Sequence, residues 1–112
     1  MMQTILDRLK GKAPPGAKRS PKWRSVRRKH LKTQPNCECC GGSKSVEVHH
    51  VFPFHIAPDL ELEPGNLMTL CEAKKYGINC HQLVGHLGNY RRFNPSVRTD
   101  AAVWHHKLKR EN

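Results

Sequence analysis

Histidines are concentrated in one short stretch of the chain, VEVHHVFPFH at residues 46–55. His49 and His50 are adjacent at the end of a β-prone run, and His55 follows in a proline-containing segment. Near neutral pH an imidazole can serve as a base, an acid or a metal ligand. The stretch therefore indicates chemistry, although a histidine pair alone does not say which kind.

Cysteines form a second group of residues that can bind a metal. Cys37 and Cys40 have C-x2-C spacing and are followed by two glycines, and Cys71 and Cys80 come about thirty residues later. This pattern predicts a tetrahedral four-cysteine site for a structural zinc ion. Either Cys39 or Cys40 could be the second metal ligand in the turn, but the spacing favours Cys40. The alternative is that these thiols are buried and unligated.

Length and composition restrict the class of protein. A chain of 112 residues predicts one domain, and 37% hydrophobic residues predict a small core that needs a staple such as a bound metal. No run of about eighteen apolar residues is present, so no membrane partner is expected. The opening MMQTILDRLKGK lacks the features of a secretory signal. We therefore expect a cytoplasmic location, where cysteines bind metals more often than they form disulfides.

Positive charge is concentrated ahead of the first cysteine. The formal net charge is +11; residues 1–36 hold eleven Lys and Arg and one acid, whereas residues 37–112 hold nine and eight. Such a basic block is typical of a protein that binds a polyanion. The alternative is a solvated tail that only aids solubility. An anionic membrane surface fits less well, because the basic segment has few large apolar residues.

Capping residues, prolines and glycines predict the helices and strands that must position these groups. Residues 1–20 are predicted to form a basic flexible arm, and Ser20 followed by Pro21 predicts a helix that runs to about Thr33. The remaining pattern predicts a strand over residues 46–51, a proline-rich loop, a strand that begins at Asn66, a short helix capped by Asn79, and a C-terminal helix over residues 96–110. The predicted fold class is α+β, a compact ββα unit flanked by helices.

The order of the motifs C-x2-C, VEVHHVFP, NLMTLC and CHQLVGH resembles the HNH endonuclease family over about residues 37–86. The resemblance implies a ββα-metal (His-Me finger) core with a four-cysteine zinc knuckle, in an HNH nuclease domain spanning residues 21–112 with its core at about 37–90. It implies metal-dependent hydrolysis of DNA phosphodiester bonds. The chain also looks like small stand-alone phage and prophage HNH proteins, which implies a bacterial host cytoplasm and phage packaging proteins as partners.

The same resemblance implies a role for each matched residue. His50 matches the general base that activates the attacking water, and Asn66 matches the asparagine that holds the catalytic loop or contacts the metal. His49 and His81 match ligands of the catalytic cation. Adjacent residues of a regular strand point to opposite faces, so His49 and His50 converge on one site only if the strand ends or bulges there.

His86 departs from the usual H-x3-H spacing of the family. In an α-helix the observed H-x4-H spacing sets His86 about 140° from His81, so His86 becomes a third ligand only if Gly85 ends or distorts the helix. The implied catalytic cation is Mg²⁺, Mn²⁺, Ni²⁺ or Zn²⁺, and imidazole ligands favour the transition ions.

Double-stranded DNA is the expected partner, although no residue excludes RNA. The basic arm and helix over residues 18–32 are expected to contact phosphates, together with two later arginines. The residues expected to make these contacts are Lys22, Arg24, Arg27, Arg28, Lys32, Arg91 and Arg92. The alternative function is a non-catalytic, zinc-stapled nucleic-acid-binding module. That module explains the cysteines and the basic helix but not the histidines and the asparagine.

Several other polar residues are given less specific expectations. Glu47 is expected either to orient His49 or to form a cross-strand ion pair. The remaining residues are expected at the surface: His55, His105, His106, Asp59, Glu61 and Glu63.

Overall fold

The computed structural model describes residues 18–73 and 79–111, so most of the predicted N-terminal arm lies outside the described residues. Helix α1 spans Trp23–Thr33, strands β1 and β2 span Val46–His50 and Leu67–Cys71, a π-helical turn spans His81–Gly85, and helix α2 spans Val97–Glu111. This order confirms the predicted α+β class, with a two-stranded sheet between helices. No helix of the described residues combines the length and the apolar character needed to cross a membrane.

Helix α1 begins at Trp23, slightly later than predicted. Ser20 caps the turn before the helix, because its Oγ accepts a hydrogen bond from the Lys22 N–H at 3.1 Å. The helix ends at Thr33 as predicted, since the residue before a proline is restricted and Pro35 follows shortly. Within the helix His30 is buried, and the opposite face is exposed and basic.

Strands β1 and β2 are antiparallel, and their register runs from Val46 opposite Cys71 to His50 opposite Leu67. All five residues of β2 are buried, whereas His49 is the buried residue of β1. The loop between the strands contains two single-turn 3₁₀ helices, Pro58–Leu60 and Pro64–Asn66. Strand β2 therefore begins one residue later than predicted.

The cysteine turn is docked on the edge of β2. Inside the turn, Cys37 N–H donates to the Gly42 carbonyl at 2.7 Å, and Gly41 adopts the positive φ of +82° that closes the turn. Glu38 exchanges two hydrogen bonds with Thr69 of β2: its N–H donates to the Thr69 carbonyl, and its carboxylate accepts from the Thr69 N–H, both at 2.8 Å. The turn is thereby held in a fixed position beside the sheet.

Candidate metal centres and active site

Four cysteines from three parts of the chain meet beside the end of β2. The Sγ atoms of Cys37, Cys40, Cys71 and Cys80 all lie within 4.8 Å of one another. Cys40 Sγ is 3.6 Å from Cys71 Sγ, close to the separation of about 3.8 Å that tetrahedral zinc–sulfur bonds would impose. Cys39 is buried in the core and is not part of this group, in agreement with the preference for Cys40.

The backbone of the turn is arranged to stabilise negative charge on two of these sulfurs. Cys37 Sγ accepts the N–H groups of Cys39 and Cys40, both at 3.4 Å, and Cys40 Sγ accepts the N–H of Gly42 at 3.4 Å. Without a cation, hydrogen bonding to the Cys80 thiol and burial raise the pKa of Cys37 to about 12. A bound cation would reverse this preference, because metal ligation deprotonates a thiol. The group fits one structural metal ion.

Three histidines form a second, separate group. The ring nitrogens of His49, His81 and His86 lie within 4.8 Å of one another. His81 Nε2 is 3.1 Å from His49 Nδ1 and 3.3 Å from His86 Nε2. The pKa of His49 is lowered to about 3, first by burial and then by its histidine neighbours. Burial also lowers the pKa of His81. The His49 and His81 imidazoles are therefore held in the neutral form that binds metals.

Hydrogen bonds on the outer side of this group decide the tautomers of two rings. His81 Nδ1 lies 3.2 Å from a Glu72 carboxylate oxygen, and His86 Nδ1 lies 2.9 Å from the Arg92 carbonyl oxygen. Both oxygens accept, so both Nδ1 atoms carry the proton and both Nε2 atoms carry a lone pair. Two lone pairs that face each other at 3.3 Å have no proton between them. His49 Nε2 is also buried without a hydrogen-bond partner. These three residues fit a divalent cation.

The π-helical turn explains how His86 joins His81 despite the five-residue spacing. In a π turn the hydrogen bonds run from residue i to i+5, so the wider turn brings residues five apart to the same side. Gly85 is buried in this turn, and a Cβ on it would lie only 3.1 Å from His81 Cδ2 and 3.3 Å from His49 Cε1. The Asn79 side chain caps the turn by accepting the Gln82 N–H at 2.7 Å.

The two metal groups are linked through the chain itself. Cys80 of the cysteine group directly precedes His81, and Cys71 directly precedes Glu72, whose carboxylate accepts from His81. Tyr90 O–H donates to the same Glu72 oxygen at 3.0 Å. A metal held by the cysteines would therefore also fix both partners of the His81–Glu72 hydrogen bond.

His50 is the last residue of β1, so it occupies the strand end at which adjacent side chains can converge, although its ring contacts different residues from those that the His49 ring contacts. Its Nε2 lies 2.9 Å from the backbone carbonyl oxygen of Glu61, and its ring stacks on Trp23 with centroids 4.5 Å apart. A carbonyl only accepts, so Nε2 carries the proton and Nδ1 carries the lone pair. Burial is the main cause that lowers the pKa of His50, so the ring is neutral and Nδ1 can accept a proton.

Asn66 is fully buried, and its side chain joins two parts of the loop between the strands. Its Oδ1 accepts the Phe52 N–H at 2.8 Å, and its Nδ2 donates to the carbonyls of Phe52 and Leu60 at 3.0 and 3.1 Å. These bonds occupy both ends of the side-chain amide. Of the two roles that the resemblance implies for Asn66, the geometry favours holding the loop.

Comparison with protein-family models gives one match. Residues 37–86 match the model described as HNH endonuclease. Over these residues the chain is similar to HNH endonucleases. Comparison of the whole chain with curated proteins and with solved structures gave no match. The matched segment begins at Cys37 and ends at His86, and thus contains every residue of both metal groups.

The basic residues that are expected to contact DNA lie on or beside α1 and after the π turn. Most of these expected phosphate contacts are exposed: Lys22, Arg24, Arg28 and Lys32 on α1 or just before it, and Arg91 and Arg92 after the π turn. Arg27 differs, because it is partly buried and forms an ion pair with Glu47 at 2.7 Å. Glu47 thus forms an ion pair with a residue of helix α1, and not the cross-strand ion pair that was the alternative expected for it.

The sequence-based expectation for Glu61 is wrong. Glu61 is only 4% exposed, although it was expected at the surface. It is buried because its carboxylate accepts from Arg19 Nε at 2.7 Å and from the Ser20 N–H at 2.9 Å. Asp59 and His55 are exposed as expected.

No sequence pattern indicated two residues of the site, Glu72 and Tyr90. Glu72 follows Cys71 in the sequence, and no spacing rule connects it with His81 nine residues later. Tyr90 reaches the same carboxylate from the segment after the π turn, eighteen residues beyond Glu72. Neither contact has a local signal that could have revealed it.

Proposed function

We propose that this chain is a metal-dependent endonuclease that hydrolyses DNA phosphodiester bonds, by nicking or cutting. The observation that carries the proposal is the convergence of His49, His81 and His86, with two of the three lone pairs turned inward by fixed tautomers. A purely structural role would not require the Nε2 lone pairs of His81 and His86 to face each other at 3.3 Å. The match of residues 37–86 to the HNH endonuclease family supports the same proposal.

In this proposal the three imidazoles hold the catalytic cation, and the four cysteines hold a structural zinc ion. A purely nitrogenous set of protein ligands favours Mn²⁺, Ni²⁺ or Zn²⁺ over Mg²⁺. When bound, the cation would stabilise the charge that develops on the phosphate and on the leaving oxygen. Glu72 orients His81 through Nδ1, and the Arg92 carbonyl orients His86 in the same way.

His50 acts as the general base of the proposed reaction. Its Nδ1 takes a proton from the attacking water, while the Glu61 carbonyl retains the proton on Nε2 and stabilises the imidazolium that forms. Trp23 limits rotation of the ring by stacking on it. Asn66 maintains the loop that presents the Glu61 carbonyl, through its bonds to Phe52 and Leu60.

DNA phosphates are held by the exposed basic residues of α1 and by Arg91 and Arg92. Such contacts supply affinity without base selection and make binding weaker as the salt concentration rises. Arg27 contributes less to this surface, because Glu47 already neutralises much of its charge.

The test is nicking of supercoiled plasmid by the full chain, with Mg²⁺, Mn²⁺, Ni²⁺ or Zn²⁺ and with EDTA. His50→Ala is expected to reduce the cleavage rate by about 10²–10⁴-fold and to retain DNA affinity, because a positioned general base contributes about that much. His55→Ala is the matched control, since His55 is exposed and outside both metal groups.

Cleavage that requires both a divalent metal and His50 supports the nuclease. Tight DNA binding with no cleavage under any metal would instead support the non-catalytic zinc module. Equal loss of DNA affinity and cleavage in His50→Ala would contradict the role of His50 as a base.

A further inference from the structure

Glu61 connects the segment before α1 to the loop between the strands. Its side chain is 5% exposed, and each carboxylate oxygen has its own partner: Oε2 accepts from Arg19 Nε at 2.7 Å, and Oε1 accepts from the Ser20 N–H at 2.9 Å. A buried carboxylate is stable only when it is paired and hydrogen-bonded. Glu61 is therefore held in place by residues about forty positions earlier in the chain.

The backbone of the same residue contacts the proposed base. The Glu61 carbonyl accepts from His50 Nε2 at 2.9 Å. The side chain and the carbonyl share one Cα atom, so fixing the carboxylate also restricts the position of the carbonyl. The orientation of His50 thus depends on contacts that Arg19 and Ser20 make with Glu61.

Aromatic rings connect the same segment to His50 by a second route. Trp23, in the first turn of α1, stacks on His50. The Arg19 guanidinium lies over the Trp23 ring at 6.0 Å and over the Phe54 ring at 4.7 Å. Arg19 therefore contacts the ring that packs on His50 as well as the carboxylate that holds its hydrogen-bond acceptor.

We propose that Glu61 is a positioning residue that couples the basic N-terminal segment to His50. Arg19 and Ser20 hold the carboxylate, and the carboxylate holds the carbonyl that orients the imidazole. The inference rests on the proposed function, in which His50 is the base. Its consequence is that Arg19 contributes to turnover, whereas neighbouring basic residues contribute to DNA affinity alone.

The first experiment compares kcat and KM for plasmid nicking by the full chain, wild type beside Glu61→Gln. Glutamine keeps the size of the side chain but removes the charge that pairs with Arg19. We expect kcat to fall by about tenfold or more, because small misplacement of a catalytic group is costly, and KM to stay unchanged. Asp59→Asn removes the same charge from an exposed position of the same loop and should keep the wild-type kcat. An unchanged kcat in Glu61→Gln would overturn the coupling.

Arg19→Gln removes the other partner of the Arg19–Glu61 ion pair, and it replaces the first test if Glu61→Gln does not fold. Arg19 is about half-exposed, at 47%, so its replacement perturbs the core less. Lys18→Gln is its matched control, an adjacent exposed residue with the same charge. Arg19→Gln should lower kcat, and Lys18→Gln should affect only KM. If both variants changed KM alone, Arg19 would be an ordinary phosphate contact and the proposal would be wrong.

A measurement that does not depend on cleavage separates this inference from the proposed function. Long-range ¹H–¹⁵N correlation spectra of the imidazoles report the tautomer of each histidine. Wild type should show His50 with its proton on Nε2, and Glu61→Gln should show a mixture of tautomers while Asp59→Asn does not. If wild type failed to cleave DNA, the nuclease proposal would fail and the spectra would still decide the coupling. Identical His50 tautomers in wild type and Glu61→Gln would overturn it.

Discussion

Gly85→Ala should weaken cation binding and lower overall stability together, because the added Cβ would contact the histidine group and the core. The added Cβ would lie 3.1 Å from His81 Cδ2 and from Leu70 Cδ1, and 3.3 Å from His49 Cε1. Carbon atoms pack best at about 3.5–4.0 Å, so the neighbours must move by at least about 0.2–0.4 Å. The contacts with the two imidazoles are separate from the contact with Leu70, so their relief requires the imidazoles themselves to move.

The expected size of the effect follows from these distances. Metal–ligand distances tolerate changes of about 0.2 Å, so the displacement should weaken cation binding by about tenfold or more. Overpacking should also lower the free energy of unfolding by about 1–3 kcal/mol. Both effects have the same cause, which is the close approach of the π turn to the histidine group.

The assay is calorimetric titration of zinc-loaded protein with Ni²⁺, together with thermal melting. Gly88→Ala is the matched control: Gly88 has a φ of +86°, and its Cβ would have no neighbour within 4 Å. The control should lose about 1–2 kcal/mol through backbone strain and keep its Ni²⁺ affinity. If Gly85→Ala bound Ni²⁺ as tightly as wild type, the histidines would not form the cation site inferred from their geometry.

Two further substitutions test the two metal groups separately. Cys37→Ser should lower the bound zinc and the melting temperature together, with a loss of stability comparable to the whole net stability of about 5–15 kcal/mol. Cys39→Ser is the control and should keep the zinc. A Cys37→Ser protein of unchanged stability would exclude a structural role for the zinc. Glu72→Gln should weaken Ni²⁺ binding by about 10–100-fold, because the carboxylate no longer orients His81, and unchanged Ni²⁺ affinity in the same calorimetric titration would show that this contact is unimportant.

Much of the fold was predictable from local sequence patterns. The C-x2-C turn, the start of α1 near Ser20 and the two strands were expected within one to three residues of their observed positions. These features depend on residues a few positions apart, whose spacing already determines the hydrogen bonds and φ angles that they can adopt. The preference for Cys40 over Cys39 in the metal group followed from the same kind of spacing.

The expectation for Glu61 was wrong for a physical reason. The residue lies in a loop rich in acidic and proline residues, and a carboxylate in such a loop is usually solvated. It is buried here because Arg19 and Ser20, far away in the sequence, supply a charge and a hydrogen-bond donor. No pattern within the loop carries that information.

The sequence by itself determined which groups could do chemistry: four cysteines for one metal, histidines for another, and the order of motifs that resembles the HNH family. The tertiary structure decided how those groups are used. It fixed the tautomers of His81 and His86 through Glu72 and the Arg92 carbonyl, and it brought His86 into the site through a π turn. Ring orientation depends on hydrogen bonds between distant segments, and such bonds exist only once the chain has folded.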